Sequence, residues 1–336
     1  MTTTAITPKR RFGVKRWIVL ALIIFGIYLQ FGPLPPISPP IFMPGEALPI
    51  NLPIINQPIT NTLVATLIAD IVVLALGFYI WRRIRSGRAL VPTGLYNVLE
   101  AIFEALWNLV VSQAGQKKAR RFYPFIATIF TLVLINNWMG LIPGVDSVGL
   151  LEPAHGSVTG YAPRPLGGIG YWIDGNAEVS HAEDAGDHHE LCVSCNVLSF
   201  VRPASTDLNF TLAIAFISVF MTQVFGFIVL KGAYLTKFLN FKALVTVPVW
   251  GAMDFAVGLL ELISEIAKLL SFTFRLFGNM FAGQLLLFIL GSLVGFILPT
   301  GLLLFEMFVG VIQAYVFAML TLVFMSQATT AHVESH

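Results

Sequence analysis

The chain has 336 residues, 56% of them hydrophobic and 11% charged, whereas a soluble domain carries about 25% charged residues. So few ions cannot cover a globule of this size in water. With a mean hydropathy of +0.80 the composition excludes a soluble enzyme and implies lipid as the solvent. The net charge of +2 gives no reason to expect nucleic acid as a partner.

The first apolar run, Trp17 to Phe31, follows five basic residues (Lys9, Arg10, Arg11, Lys15, Arg16). A signal peptide and a membrane anchor both begin this way, but no small-residue cleavage site follows, so an uncleaved anchor is expected. The proline-rich stretch Pro33 to Pro58 reads as an extended external linker. Next comes an apolar run at 61–81, closed by Arg82, Arg83, Arg85 and Arg88. Between Leu95 and Val111, one helical stripe carries Leu99, Phe103, Leu106 and Val110, with Glu100, Glu104 and Asn108 elsewhere. Either a helix on the inner membrane surface or an ordinary amphipathic connector fits. Lys117, Lys118, Arg120 and Arg121 then precede the run at 122–142, and Lys231, Lys237 and Lys242 follow the run at 208–230. Runs of about 20 apolar residues match a hydrocarbon core about 30 Å thick. The positive-inside rule places all of these basic clusters, and the N-terminus with them, in the cytoplasm; the C-terminus returns there as well if the segment from Trp250 is one helix rather than two spans.

The segment from Val145 to Ser205 is different in kind. It is rich in Gly, Pro and acidic residues, and it reads as an irregular, water-exposed insert on the outer face. It contains His181, His188, His189, Cys192 and Cys195. A C-x-x-C beside histidines is a partial zinc pattern, lacking the second conventional pair. A Cys192–Cys195 disulfide and an uninvolved polar loop are the alternatives. No G-x-x-x-x-G-K-[ST] or G-x-G-x-x-G occurs, so nucleotide chemistry belongs to another chain and no cofactor is expected. Four regions result: 1–59, anchor and linker; 60–143, two spans with the intervening amphipathic helix; 144–206, the insert; and 207–336, a channel core.

From Trp250 the sequence can be tested for helical phase. With Arg275 at zero and about 100° per residue, Lys268 falls at about +20°, Asn279 and Glu261 at about +40°, Asp254 at about +60° and Glu265 at about +80°. Six polar residues therefore share one face of an otherwise apolar segment, which a single unbroken helix explains. From Asp254 to Gln284 such a helix is roughly 46 Å long, well beyond the hydrocarbon core, so it must tilt steeply. The alternative, two upright spans broken between Lys268 and Arg275, needs a turn at the apolar sequence FTFRLF. An ion at mid-membrane costs about 2.5–3.5 kcal/mol on insertion scales. Glu261 or Glu265 can neutralise Lys268, but Arg275 has no acidic residue three or four positions away. Its partner is expected on another helix or chain.

In the last apolar helix Glu306 and Gln313 lie seven apart, on one face. Gln284, about 180° from Arg275, is expected to face this helix. A buried glutamate without a cation suits a proton relay; a neutral Glu–Gln hydrogen bond joining helices is the alternative.

The stretch Arg275-Leu276-Phe277-Gly278-Asn279-Met280-Phe281-Ala282-Gly283 resembles the signature of subunit a of F-type ATP synthases. Pro203 to Asn209 (PASTDLN), Glu261 and Gln313-Ala314-Tyr315-Val316-Phe317 match in order, and the resemblance runs from about Leu63 to Ala328 apart from the insert. It implies an all-α polytopic membrane protein of about six membrane helices, the last two a long tilted hairpin. It also implies a plasma-membrane location and partners in a ring of c subunits, peripheral-stalk b subunits and the rest of the synthase. Arg275 would be the barrier facing the c-ring carboxylates, with Asn279 beside it. Gln284, Glu306 and Gln313 would line the outer half-channel and Glu261 the inner one. The chain departs from a common family pattern in which the position of Gln284 is acidic and that of Glu306 is histidine. Its titratable group has moved to the other helix, which requires the two sites to be neighbours.

Two other functions compete. A secondary transporter would place charges around a substrate pocket, usually with inverted repeats, and none is found. A metal-binding or assembly role for the insert would leave Arg275 idle.

Overall fold

A computed structural model describes residues 45–51, 58–86, 94–142, 144–153, 160–166, 170–179, 195–231, 248–293 and 297–330, with 17, 20, 21, 24, 25 and 28 of the first apolar run. Those six residues are helical and exposed. Six further helices carry the fold: α1 (Asn61–Arg85), α2 (Leu95–Ala114), α3 (Gln116–Met139), α4 (Leu208–Leu230), α5 (Pro248–Leu293) and α6 (Ile297–Ala328). α1, α3, α4 and residues 298–328 are long and apolar enough to cross a membrane. The chain is therefore an all-α polytopic membrane protein.

Helix boundaries follow local chemistry. Thr60 caps α1 by accepting the Leu63 N–H, and Arg82, Arg83 and Arg85 occupy its last turn, where cations oppose the negative end of the helix dipole. Gly115 has φ +75 and joins α2 directly to α3, a conformation that side chains with a Cβ disfavour. Tyr123 Oη then donates to the Phe103 carbonyl at 3.1 Å, and the Tyr123 ring meets Trp107 edge-on at 5.2 Å. Asp207 caps α4 by accepting the Asn209 N–H at 2.9 Å. Its other carboxylate oxygen accepts from Thr62 Oγ1 at 2.8 Å, tying the starts of α1 and α4 together.

α5 is a single helix of 46 residues with no break at FTFRLF, so the unbroken helix expected from the polar stripe is what forms. At about 1.5 Å per residue it is roughly 69 Å long.

The chain divides into two compact units: Met1–Pro40, Leu151–Asn196 and Leu285–Phe305 make one, and Ile41–Leu150, Val197–Gln284 and Glu306–His336 the other. In the second unit the core is built by Phe122, Ile126 and Val133 of α3, Ile214 of α4, Phe272, Leu276 and Met280 of α5, and Phe317, Leu322 and Met325 of α6. Phe272 meets Phe317 at 4.9 Å and Phe324 at 5.6 Å. The far end of α6 is tied to the α2–α3 junction: Lys118 Nζ donates to Thr329 O and Oγ1 at 3.1 and 3.2 Å, and Ser326 Oγ donates to Gln113 O at 3.3 Å.

The insert, expected to be irregular, contains strands β3 (Gly149–Pro153), β4 (Gly160–Leu166), β5 (Gly170–Val179) and β6 (Cys195–Ser199) in the order β3-β6-β4-β5. β4 and β5 pair antiparallel with Arg164 opposite Trp172, and Tyr161 of β4 lies opposite Cys195. Within the linker, β1 (Ala47–Asn51) pairs antiparallel with β2 (Pro58–Thr60). Pro163 and Pro165 inside β4, and the prolines around β1 and β2, hide these strands from a propensity reading, because proline is depleted in sheets.

Candidate functional site

The polar face of α5 begins with helical phase. Phe272, Leu276, Met280 and Gln284 recur every four residues and are buried, while Phe274, Leu270 and Ile266 on another side are exposed. Arg275 falls at the margin between these faces and is half-buried. Its Nη2 donates to Ser271 Oγ one turn earlier, at 3.4 Å. Among the described residues no carboxylate comes within ion-pairing distance of it. Ser271, Gly278 and Ala282 surround it on the helix; none is buried, and a Cβ added at Gly278 would meet nothing within 4 Å. The guanidinium is thus a permanent cation on a surface of small side chains.

The other base in the stripe is held differently. Lys268 Nζ lies 2.7 Å from Glu265 Oε1 and 4.9 Å from the centre of the Phe324 ring. Internal pairing therefore accounts for Lys268 and Glu265 and leaves Arg275 outside it. Glu265 Oε2 is buried without a hydrogen-bond partner among the described residues. Glu261 is half-buried one turn before Glu265.

Asn279 and Gln313 meet directly, Asn279 Nδ2 donating to Gln313 Oε1 at 2.7 Å. Gln313 is 3% exposed, and its Nε2 has no partner among the described residues. Glu306, one helical repeat earlier on α6, is 6% exposed, with Oε1 buried and without a hydrogen-bond partner among the described residues. Its carboxyl group packs against Gly283, where any side chain would collide with it. Gln284 is also buried, and its Nε2 sits 3.6 Å from where a Cβ on Gly140, at the end of α3, would lie. Glu306 thus approaches α5 at Gly283, next to Gln284 in the chain, while the Gln284 amide, expected to face α6, lies beside α3.

Two residues that the sequence reading passed over, Asn137 and Trp138, hold this end of the site together. Asn137, fully buried, donates from Nδ2 to the Gly310 carbonyl at 3.2 Å and accepts from Ser205 Oγ at 2.8 Å. Trp138 Nε1 donates to the Met307 carbonyl at 3.2 Å. Both carbonyls belong to α6, so the end of α3 grips it on either side of the turn that follows Glu306. The signal was available, because adjacent asparagines inside an apolar span are costly unless bonded.

His181, His188, His189 and Cys192 lie outside the described residues, as does the side chain of Asp254. Cys195 is disulfide-bonded, and the chain has two cysteines in all.

A profile of the family described as ATP synthase A chain matches residues 63–326. The chain belongs to that family. "ATP synthase subunit a" of Mycobacterium ulcerans is 29% identical over 282 residues, covering 82% of this chain and 90% of that protein. The proteins of the same name from Aliarcobacter butzleri and Moorella thermoacetica are each 26% identical, covering 79% and 82% of this chain and 89% and 93% of their own lengths. As a member of the family the chain is a membrane subunit of an ATP synthase with a role in proton translocation, and is not by itself the enzyme.

Proposed function

We propose that this chain is the stator element facing the rotor ring of the synthase, with two proton half-channels that meet at Arg275. The observation that carries this reading is a fixed cation on a long continuous helix, half-exposed among small side chains, with no acid of its own among the described residues. Such a charge is costly in lipid unless something meets it. A carboxylate carried past by a neighbouring c subunit does so intermittently, and Ser271, Gly278 and Ala282 leave room for that approach. Bringing the guanidinium close favours the ionised carboxylate and expels its proton. The permanent charge also bars protons from passing directly between the two sides.

Glu306 is the group of the outer path able to hold a proton, with Gln313 and Asn279 linking it towards Arg275 and Gln284 beyond it towards the outside. Glu261 begins the inner path. The tie of Thr329 to Lys118, within a basic cluster, supports a cytoplasmic C-terminus. Contacts with b subunits and a bacterial plasma-membrane location complete the reading. Arg275→Ala in the assembled synthase tests it: proton-driven ATP synthesis is expected to disappear with assembly intact, and retained coupling would reject the reading.

A further inference from the structure

The proposed outer path runs through the buried side chains of Gln313, Glu306 and Gln284, so it needs a group that passes protons to them from external water. Gln284 Nε2 lies beside Gly140, and Pro203 packs against the same glycine. From there the chain turns at once. Leu141 N–H bonds Trp138 O at 3.0 Å, Ile142 N–H bonds Met139 O at 3.4 Å, Val145 N–H bonds Ile142 O at 3.3 Å and Ser147 N–H bonds Gly144 O at 3.1 Å. Gly144 takes φ +91 within this turn, which a Cβ would strain. The turn ends in a single 3-10 turn, Val145–Ser147, containing Asp146. Extended, six residues would reach about 20 Å; the bonded turns hold Asp146 much closer to Gly140.

The other flank of the same contact brings in a base. Arg202 immediately precedes Pro203, and it is the charged group acting on Asp146 among the described residues. Asp146 Oδ1 is buried and lacks a hydrogen-bond partner among the described residues. Burial pushes this carboxyl up to about 6, while Arg202 pulls it partly back. An acid with this affinity both takes up and gives up protons near neutral pH, as a transfer group must. It sits outside the spans, just after the chain leaves the contact of Gly140 with Gln284 and Pro203.

We propose that Asp146, held by Arg202, is the proton-loading group at the outer mouth of the path. The carboxylate binds one proton from external water, releases it inward towards Glu306 along the hydrogen-bonding groups around Gln284, and returns to its ionised form. This rests on the proton path proposed above. A loading group matters when protons are scarce. At an outer pH of 7.5 free protons, at about 30 nM, reach a mouth on the order of 300 times per second at a diffusion limit near 10¹⁰ M⁻¹s⁻¹. At pH 5.0 the same estimate gives on the order of 10⁵ per second, and collection ceases to limit.

The test uses the whole synthase reconstituted in liposomes, with ATP synthesis measured against outer pH at fixed inner pH and fixed electrical potential. Relative to the unaltered enzyme, Asp146→Asn is expected to lose several-fold at outer pH 7.5, with the gap closing as the outer pH approaches 5.0. Arg202→Gln removes the group that lowers the Asp146 pKa, so the inflection of the profile should move to higher outer pH. A ratio of Asp146→Asn to unaltered rate that is the same at every outer pH overturns the proposal. If Asp146→Asn does not assemble, the Arg202→Gln profile decides, and an unmoved inflection overturns it. Arg275→Ala run in parallel separates the two levels: coupling retained there rejects the underlying path, while coupling lost there with a pH-independent Asp146→Asn ratio rejects the loading group alone.

Discussion

Gly283→Ala adds one methyl group at the closest approach of α5 to the titratable side chain of α6. A Cβ there would collide with Glu306 Oε1, so the carboxyl group must retreat by about 1 Å to reach the 3.4 Å of ordinary contact. Two opposing effects set the stability. Alanine in place of glycine favours a helix by about 0.8–1 kcal/mol, and overpacking costs about 1–3 kcal/mol, towards its low end because the obstructing atoms end a flexible side chain. The net is a loss of about 0–2 kcal/mol, which leaves the subunit assembled. Proton transfer is less forgiving: a misplacement of about 1 Å predicts a loss of about 10²-fold. The assay is passive proton conduction through membrane sectors stripped of their catalytic head, normalised to assembled subunit. Gly77→Ala is the control, because it offers the same helix preference and a Cβ there meets nothing within 4 Å. Conduction by Gly283→Ala equal to that of Gly77→Ala would refute the placement of Glu306 in the path.

Asn279→Leu strips Gln313 of the partner to its Oε1 when its Nε2 already lacks one. We expect a loss of about 1–3 kcal/mol in thermal unfolding of the detergent-solubilised complex; adding Gln313→Leu should restore stability but not proton conduction, which separates the two roles. Asn137→Ala removes two bonds at a fully buried site and should lower the same unfolding midpoint by the equivalent of about 1–3 kcal/mol; an unchanged midpoint contradicts the grip of α3 on α6. Lys268→Met leaves Glu265 without its counter-ion, so the amount of subunit inserted should fall in line with a cost of about 2.5–3.5 kcal/mol, and the double variant with Glu265→Gln should recover most of it.

Much of this arrangement is legible in the residues because lipid makes two signals strong. A polar side chain in an apolar span is expensive, so its presence marks a contact, and the 3.6-residue period sorts such side chains onto faces. That is why the unbroken α5, the shared face of Arg275 and Asn279, and the pair Glu306 and Gln313 could be found without coordinates. Facing partners could not. That Gln284 lies against Gly140, that Asn137 bonds the Gly310 carbonyl, and that Gly283 matters as empty space are relations between elements far apart in the chain, on which periodicity is silent. Asn137 was also masked by its setting, a span identified for its hydrophobicity. The strands of the insert were missed for the opposite reason: prolines at 163 and 165 argue against a strand, and pairing with β5 overrides that preference.

On the function proposed above, the charges of α5 give a reason for an arginine rather than a lysine at 275. Lys268 is neutralised three residues from Glu265, on its own helix, and its ammonium rests over Phe324. A pair closed in this way has little attraction left for a passing acid. Among the described residues Arg275 has a single hydrogen bond, to Ser271 at 3.4 Å, too weak a claim to compete with an incoming carboxylate. It therefore keeps most of its charge available to an external group. Lysine there would supply the same charge as a compact ammonium whose pKa falls readily on desolvation, so it could lose its proton just when the rotor surface shields it from water. A guanidinium cannot, and its planar fork can hold both oxygens of a carboxylate at once. The small residues at 271, 278 and 282 keep that fork reachable, while burial of Leu276 and Met280 on the neighbouring face fixes the helix so that it does not turn away.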